Sequence, residues 1–311
     1  MDYGRFLSRS WQITWRYKFL WLWSGLAVLG TGGGRVSGVL LHLFIPTDWR
    51  NPDFVLAEVE ATLATSTLLL ERMGSVLLWG VLLLFLLLIV GWLLFALAEG
   101  VIIRAVLDAE DERPVTATHA LRGGWPLLGR FVAIDAAVFF PLFLLLLLML
   151  VLLGGALIGS IIVGTRQQTT GGFLLPLGVG GLCLLPLLLL LAPLGLLTTV
   201  FRGLAFRDTA VYQTGVRDTI RHTWTLTRAH LGPLLIVTGL LWGIKTLFNV
   251  ALSMVTLPVF TFLLPLVTLP RAFVLVVSLV AAILLLLLQA ILHTFTAVTW
   301  TMAYLSVIRN P

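Results

Sequence analysis

The sequence predicts an all-α fold: a polytopic transmembrane helical bundle of about six spans, built as three units that each join an amphipathic helix to a helical hairpin. Three observations predict it. Of 311 residues, 59% are hydrophobic and only 11% charged, against about 25% charged in an average soluble domain. Several uncharged runs are long enough to cross ~30 Å of hydrocarbon, which takes about 20 helical residues. Short basic segments, each carrying a tryptophan, recur before alternate spans.

The composition excludes a water-soluble fold, because a 34.1 kDa globule with a mean hydropathy of +1.06 cannot hide that many apolar side chains. Lipid must therefore be the solvent for most of the surface. The net charge of +6 does not mark a nucleic-acid partner, since the Lys and Arg residues sit between apolar runs rather than along one basic stripe. Membrane lipids are the expected partners, with other membrane subunits as a second class. The single Cys183 has no intrachain partner, so no internal disulfide forms.

In chain order, the first span is the apolar run 19–30, which follows a basic segment as a signal peptide would. No small-x-small cleavage site follows it, and GTGGGR is glycine-rich, so the span is expected to be retained. A second apolar piece, VSGVLLHLFIP, continues it as an interrupted helix or lies at the interface. Segment 51–74 carries Asp53, Glu58, Glu60 and Glu71 among spaced Val, Leu and Ala, and reads as an outer amphipathic helix opened by Asn51-Pro52. Uncharged runs at 76–98, 136–163, 173–201 and 272–308 give four further spans, and 231–254 gives another, interrupted by Lys245 and Asn249. The proline-rich 258–270 reads as an interfacial or re-entrant connector.

Of the 20 Lys and Arg residues, 14 fall before the first span, in alternate connectors and at the tail, five fall on the opposite side, and Lys245 lies within a span. The positive-inside rule then places both termini in the cytoplasm.

Aligning Trp11, Trp125 and Trp224 brings LSRSWQITWRYKFL, LRGGWPLLGRFVAI and IRHTWTLTRAHLGP into register. Leu7, Leu121 and Ile220 stand four residues before the tryptophans, and Ile13, Leu127 and Leu226 two after. The even-numbered spans end in GVIIRAV, GLAFRDT and LSVIRNP, placing Arg104, Arg207 and Arg309 comparably. These matches predict units of about 1–113, 114–213 and 214–311 within a single membrane domain, 1–311. In the first copy, Arg5, Arg9, Gln12 and Arg16 share one helical face and Phe6, Leu7, Trp11 and Tyr17 the other. That helix is expected to lie in the headgroups, its arginines on anionic lipid and its aromatic rings setting its depth.

Inside the spans, Lys245 with Asn249 and Gln289 with His293 form two i, i+4 pairs. At 1.5 Å per residue, Lys245 and Gln289 both lie about 20 Å deep, level on antiparallel neighbours. Together the four form a candidate intramembrane polar cluster: a relay, a headgroup pocket, or interhelical glue. Asp135 reads as a snorkelling or paired interface residue, and Glu99 as the end of its span with Arg104 in reach. The acidic run Asp108, Glu110, Asp111 and Glu112 reads as a solvated helix end.

No enzyme motif is present. GTGGGR lacks the Gly-Lys-Ser/Thr of a phosphate-binding loop, His42, His119, His222, His230 and His293 form no HExxH, and no GxSxG occurs. No catalytic residue, cofactor or metal is predicted. The quoted tryptophan segments, with the opening MDYGRFLSRSWQITWRYKFLWLWSGLAVLGTGGG, resemble a broad group of prokaryotic membrane proteins similar to the membrane domain found beside glycerophosphoryl diester phosphodiesterases. The resemblance implies a bacterial or archaeal cytoplasmic membrane. It does not carry over phosphodiesterase activity, because the chain contains no such catalytic domain. The expected function is non-enzymatic: moving a lipid or small solute, or serving as an accessory subunit. A lipid-modifying enzyme would need an interfacial cluster, for which Asp135 with His119 or His230 is the nearest approach.

Overall fold

The computed structural model describes residues 3–31, 66–167, 170–263 and 271–309. Among them are nine α-helices and one 3-10 turn, with no strand. They are α1 (Tyr3–Arg16), α2 (Phe19–Gly30), α3 (Ser66–Glu110), α4 (Ala117–Gly124), the turn Trp125–Leu127, α5 (Leu128–Gln167), α6 (Thr170–Tyr212), α7 (Val216–Ala229), α8 (Leu231–Leu263) and α9 (Arg271–Arg309). The chain is a helical membrane protein. Five helices are long and apolar enough to cross a bilayer, namely α3, α5, α6, α8 and α9, and α2 is a shorter apolar helix of 12 residues.

The helices run past the uncharged stretches at several ends, and two of these differences change the reading of a connector. The helix of the second span begins at Ser66, so the end of segment 51–74 is continuous with the span; 51–65 lies outside the described residues. Helix α8 continues through Pro258 to Leu263, and only 264–270 of the proline-rich connector falls outside the described residues. Proline deletes one backbone donor but does not end a helix in lipid, where every other backbone group must still bond internally. Pro141 inside α5 follows the same rule.

The chain divides into two compact units: residues 1–128 with 236–311, and residues 129–235. In the first, α2 packs against α3 and α9, α1 against α9, and α4 against α3. Leu20, Val101, Ile102, Val106 and Val298 fill the centre, with Ile13, Ala105, Ala120 and Ala297. Small residues let the backbones close. A Cβ on Gly91 would lie 2.8 Å from the Gly30 carbonyl oxygen, and a Cβ on Gly30 would collide with the Gly91 oxygen, so α2 and α3 touch backbone to backbone. Thr294 donates to Ser24 across α9 and α2 at 2.7 Å, while Thr299 and Thr301 donate to carbonyls one turn back at 2.7 and 2.9 Å. Each hydroxyl is thus satisfied in a dry contact.

In the second unit, Phe131 and Phe206 stack with centroids 4.2 Å apart and planes 8° from parallel. Helix α7 lays Thr219, Thr223 and Thr227 on α6 as a buried stripe. Away from this packed end, α5 and α6 expose Phe140, Leu144, Leu150, Val151, Leu189 and many similar side chains. Only lipid or another apolar partner makes that exposure tolerable.

Helices α3 and α6 end alike. Glu112 and Gln213 adopt left-handed backbone, φ 56° and 55°, and Gln213 N–H donates to Thr209 at 2.9 Å while Arg113 N–H donates to Asp108 at 2.9 Å. Such a cap favours glycine. Gln213→Gly is therefore expected to stabilise the chain by about 0.5–1 kcal/mol in a detergent unfolding titration.

Candidate functional site

The costliest residues in an apolar bundle are ionisable ones held within a span, and these define the site. Glu99 lies on α3, 11 residues before the helix ends at Glu110, which is about 16 Å along the axis. Its carboxylate Oε1 is 3.4 Å from His293 Nε2 on α9, and both side chains are shielded, 10% and 19% exposed. Phe95, one turn before Glu99, sets its ring edge-on to the imidazole at 6.1 Å. The site thus pairs a carboxylate with an imidazole inside an apolar helix contact. Lys245 on α8 is within electrostatic reach of Glu99, although the residue as a whole is exposed on its helix.

The residues singled out from sequence fall as follows. Lys245 is exposed, and Asn249, Gln289 and His293 are half-buried. Side-chain packing between α8 and α9 brackets them: Val237 and Leu241 meet Phe295 and Ala303 on one side, and Leu252 meets Ala282 and Leu285 on the other. Lys245 and Asn249 thus fall between these two contacts on α8, and Gln289 falls between them on α9. The Asn249 carbonyl accepts from Ser253 at 2.8 Å. The partner that the structure gives His293 comes from α3, and Glu99 is the residue the sequence reading placed elsewhere. The sequence reading has this helix running on to the acidic run, and paired Glu99 with Arg104 of the same helix; the approach of His293 from α9 has no signal in the sequence.

Asp135 is paired, as expected. It is fully buried and accepts two bonds from Arg202, at 2.5 and 2.7 Å, while Arg202 is 20% exposed and lies over the Phe139 and Phe206 rings at 5.3 and 5.1 Å.

The acidic run after the second span is only partly solvated. Asp108 is buried and meets His119 Nδ1 of α4 at 3.2 Å, and Glu110 accepts from Arg9 of α1 at 3.1 Å. In the second unit, Asp208 is likewise buried and meets His222 Nδ1 of α7 at 2.6 Å. Each amphipathic helix thus sends a basic side chain to an acid near the end of a span.

The three tryptophans are exposed, Trp11 by 51%, Trp125 by 61% and Trp224 by 39%. Helix α1 instead buries Phe6, Ser10, Ile13 and Thr14, and Arg9 and Arg16 remain exposed; the Arg5 side chain lies outside the described residues. Trp11 still touches Phe295 edge-on at 6.0 Å, and Arg228 sits 4.5 Å above the Trp224 ring. Among the described residues, no group of three or more His, Cys, Asp or Glu is placed to hold a metal.

Fold and site together define an integral membrane protein with a shielded ionisable pair between helices. No protein-family model, curated protein or solved structure matches the chain.

Proposed function

We propose that this chain assists the movement of a lipid or small solute through the cytoplasmic membrane of a prokaryote, with both termini in the cytoplasm. One observation carries the reading: Glu99 and His293 form a carboxylate–imidazole contact between apolar helices, with Lys245 in electrostatic reach. Charges at such depth cost several kcal/mol unless paired or wetted, and in membrane bundles they mark pathways for ions and polar groups. The arginine distribution supports the orientation. The activity proposed is non-enzymatic.

The proposal includes three repeated units, and burial supports it. One residue before each aligned tryptophan stand Ser10, Gly124 and Thr223, all small and all buried; five before stand Phe6, Ala120 and Thr219, also buried. Helix α4 packs on α3, α7 on α6, and α1 on α9 at the other end of the chain. An amphipathic helix covering the end of a span is thus the repeated device.

The test is translocation of a short-chain fluorescent phospholipid analogue in vesicles of phosphatidylethanolamine and phosphatidylglycerol, alongside uptake of a panel of small solutes. Glu99→Gln and His293→Ala are expected to lower the rate of whichever probe moves at least tenfold. Wild-type rates in both variants would remove the pathway reading. The runner-up, an accessory subunit of a membrane complex, draws on the apolar surface of α5, whose most apolar stretch is entirely unburied. Purification in mild detergent with a stoichiometric companion would favour it.

A further inference from the structure

Helix α8 turns one stripe inward: Thr238, Leu241 and Leu252 are buried, and they stand seven and four residues before Lys245 and seven after it. Helix α9 repeats the spacing, since Ala282, Leu285 and Thr296 are buried and stand seven and four residues before Gln289 and seven after it. Residues so spaced share one helical face. The two faces meet where Leu252 packs with Ala282 and Leu285, and again where Leu241 packs with Phe295 and Ala303. Between those closed ends the contact opens, for Lys245 is exposed and Asn249 and Gln289 are half-buried.

Nothing polar in the protein closes this opening. Among the described residues, Lys245 forms no hydrogen bond or ion pair, and the side-chain amides of Asn249 and Gln289 form no hydrogen bond. Glu99 acts on Lys245 only at a distance, its Oε1 lying 3.4 Å from His293. An ammonium offers three N–H donors and each amide two more. A cation left without a close partner inside a span is among the costliest arrangements in a membrane protein. An oxyanion would satisfy both its charge and its donors.

Depth and flanks indicate what carries that oxyanion. Lys245 stands 14 residues into α8, about 21 Å along the axis, so a hydrated ion would reach it only by shedding water. Leu247 and Val250 of α8 and Leu287 and Leu288 of α9 are exposed at the same stretch, and they offer an acyl chain an apolar surface. We propose that the opening between α8 and α9 binds the oxyanion of an acyl-chain amphiphile, a phosphodiester or a carboxylate, on the Lys245 ammonium and the Asn249 and Gln289 amides. The inference rests on the movement reading and names its cargo class.

Native mass spectrometry of the full chain, titrated in detergent with oleate, dioleoyl phosphatidylglycerol, methyl oleate and inorganic phosphate, tests it. Oleate or the phospholipid should bind roughly tenfold tighter than uncharged methyl oleate or chain-free phosphate, and the tighter of the two identifies carboxylate or phosphodiester as the source. Lys245→Met should lower that affinity by roughly tenfold, while Lys245→Arg keeps it. If Lys245→Met does not fold, Asn249→Leu serves, with a severalfold loss expected. Methyl oleate or inorganic phosphate binding as tightly as the charged amphiphiles, or wild-type affinity in Lys245→Met or Asn249→Leu, overturns the proposal. Lysine-dependent binding with no flux of any probe in vesicles removes the movement reading alone, while flux without lysine-dependent binding removes this inference alone.

Discussion

Gly91→Leu is expected to separate α2 from α3 and to lower stability by about 3 kcal/mol, at the upper end of the usual cost of overpacking. The reason is local. A leucine Cβ would start 2.8 Å from the Gly30 carbonyl oxygen, closer than real Cβ atoms come to backbone, and neither helix has a flexible side chain to move aside. Backing α3 away would also loosen the contacts of Leu20 with Val101 and Ile102, which fill the same interface. Gly80→Leu is the matched control on the same helix: nothing lies within 4 Å of its added Cβ, and the residue faces outward. Its expected cost is below about 0.5 kcal/mol, as for substitutions away from packed sites. Unfolding by denaturing detergent, followed by tryptophan fluorescence, would compare them. Equal midpoints for the two variants would show that the glycine contact does not hold this helix pair.

The spans were legible in the sequence because transfer from water to lipid is a property of each residue, summed along the chain. Partner choice was not, because it depends on how helices are rotated and shifted against one another. Glu99 shows the difference. Sequence proximity pairs it with Arg104 of its own helix, yet its carboxylate meets His293 of α9. His293 shows it again: helical spacing pairs it with Gln289 on its own helix, whereas its ionic partner stands on another. In α1 the amphipathic pattern separated arginines from aromatic residues, but the protein-facing side holds Ser10 and Thr14 with Phe6 and Ile13. Small hydroxyl residues allow close helix approach, and a two-class hydropathy pattern does not record that. The proline-rich end of α8 differs from the sequence reading for a related reason, since ending a helix in an apolar setting would leave more backbone groups unpaired than a proline does.

The buried pair in the second unit gives the other large expected effect, and its asymmetry is the informative part. Asp135 is fully buried, whereas Arg202 is 20% exposed and lies across two phenylalanine rings. Arg202→Met strands a carboxylate that has no route to water, so a loss toward the top of the 3–5 kcal/mol range for broken buried pairs is expected, roughly 5 kcal/mol. Asp135→Leu leaves a guanidinium that keeps its aromatic contacts and can extend its long stem toward the interface, so a loss of roughly 3 kcal/mol is expected. The double variant removes both charges and fills the space with apolar atoms against Phe131 and Phe206. Its cost should fall below either single change, to about 1 kcal/mol, because replacing a buried ion pair by packed hydrophobic groups is often close to neutral. A double-mutant cycle read from detergent unfolding gives the coupling directly. Additive losses in the double variant would mean that the two side chains act separately, and that Asp135 is stabilised by its own helix rather than by Arg202.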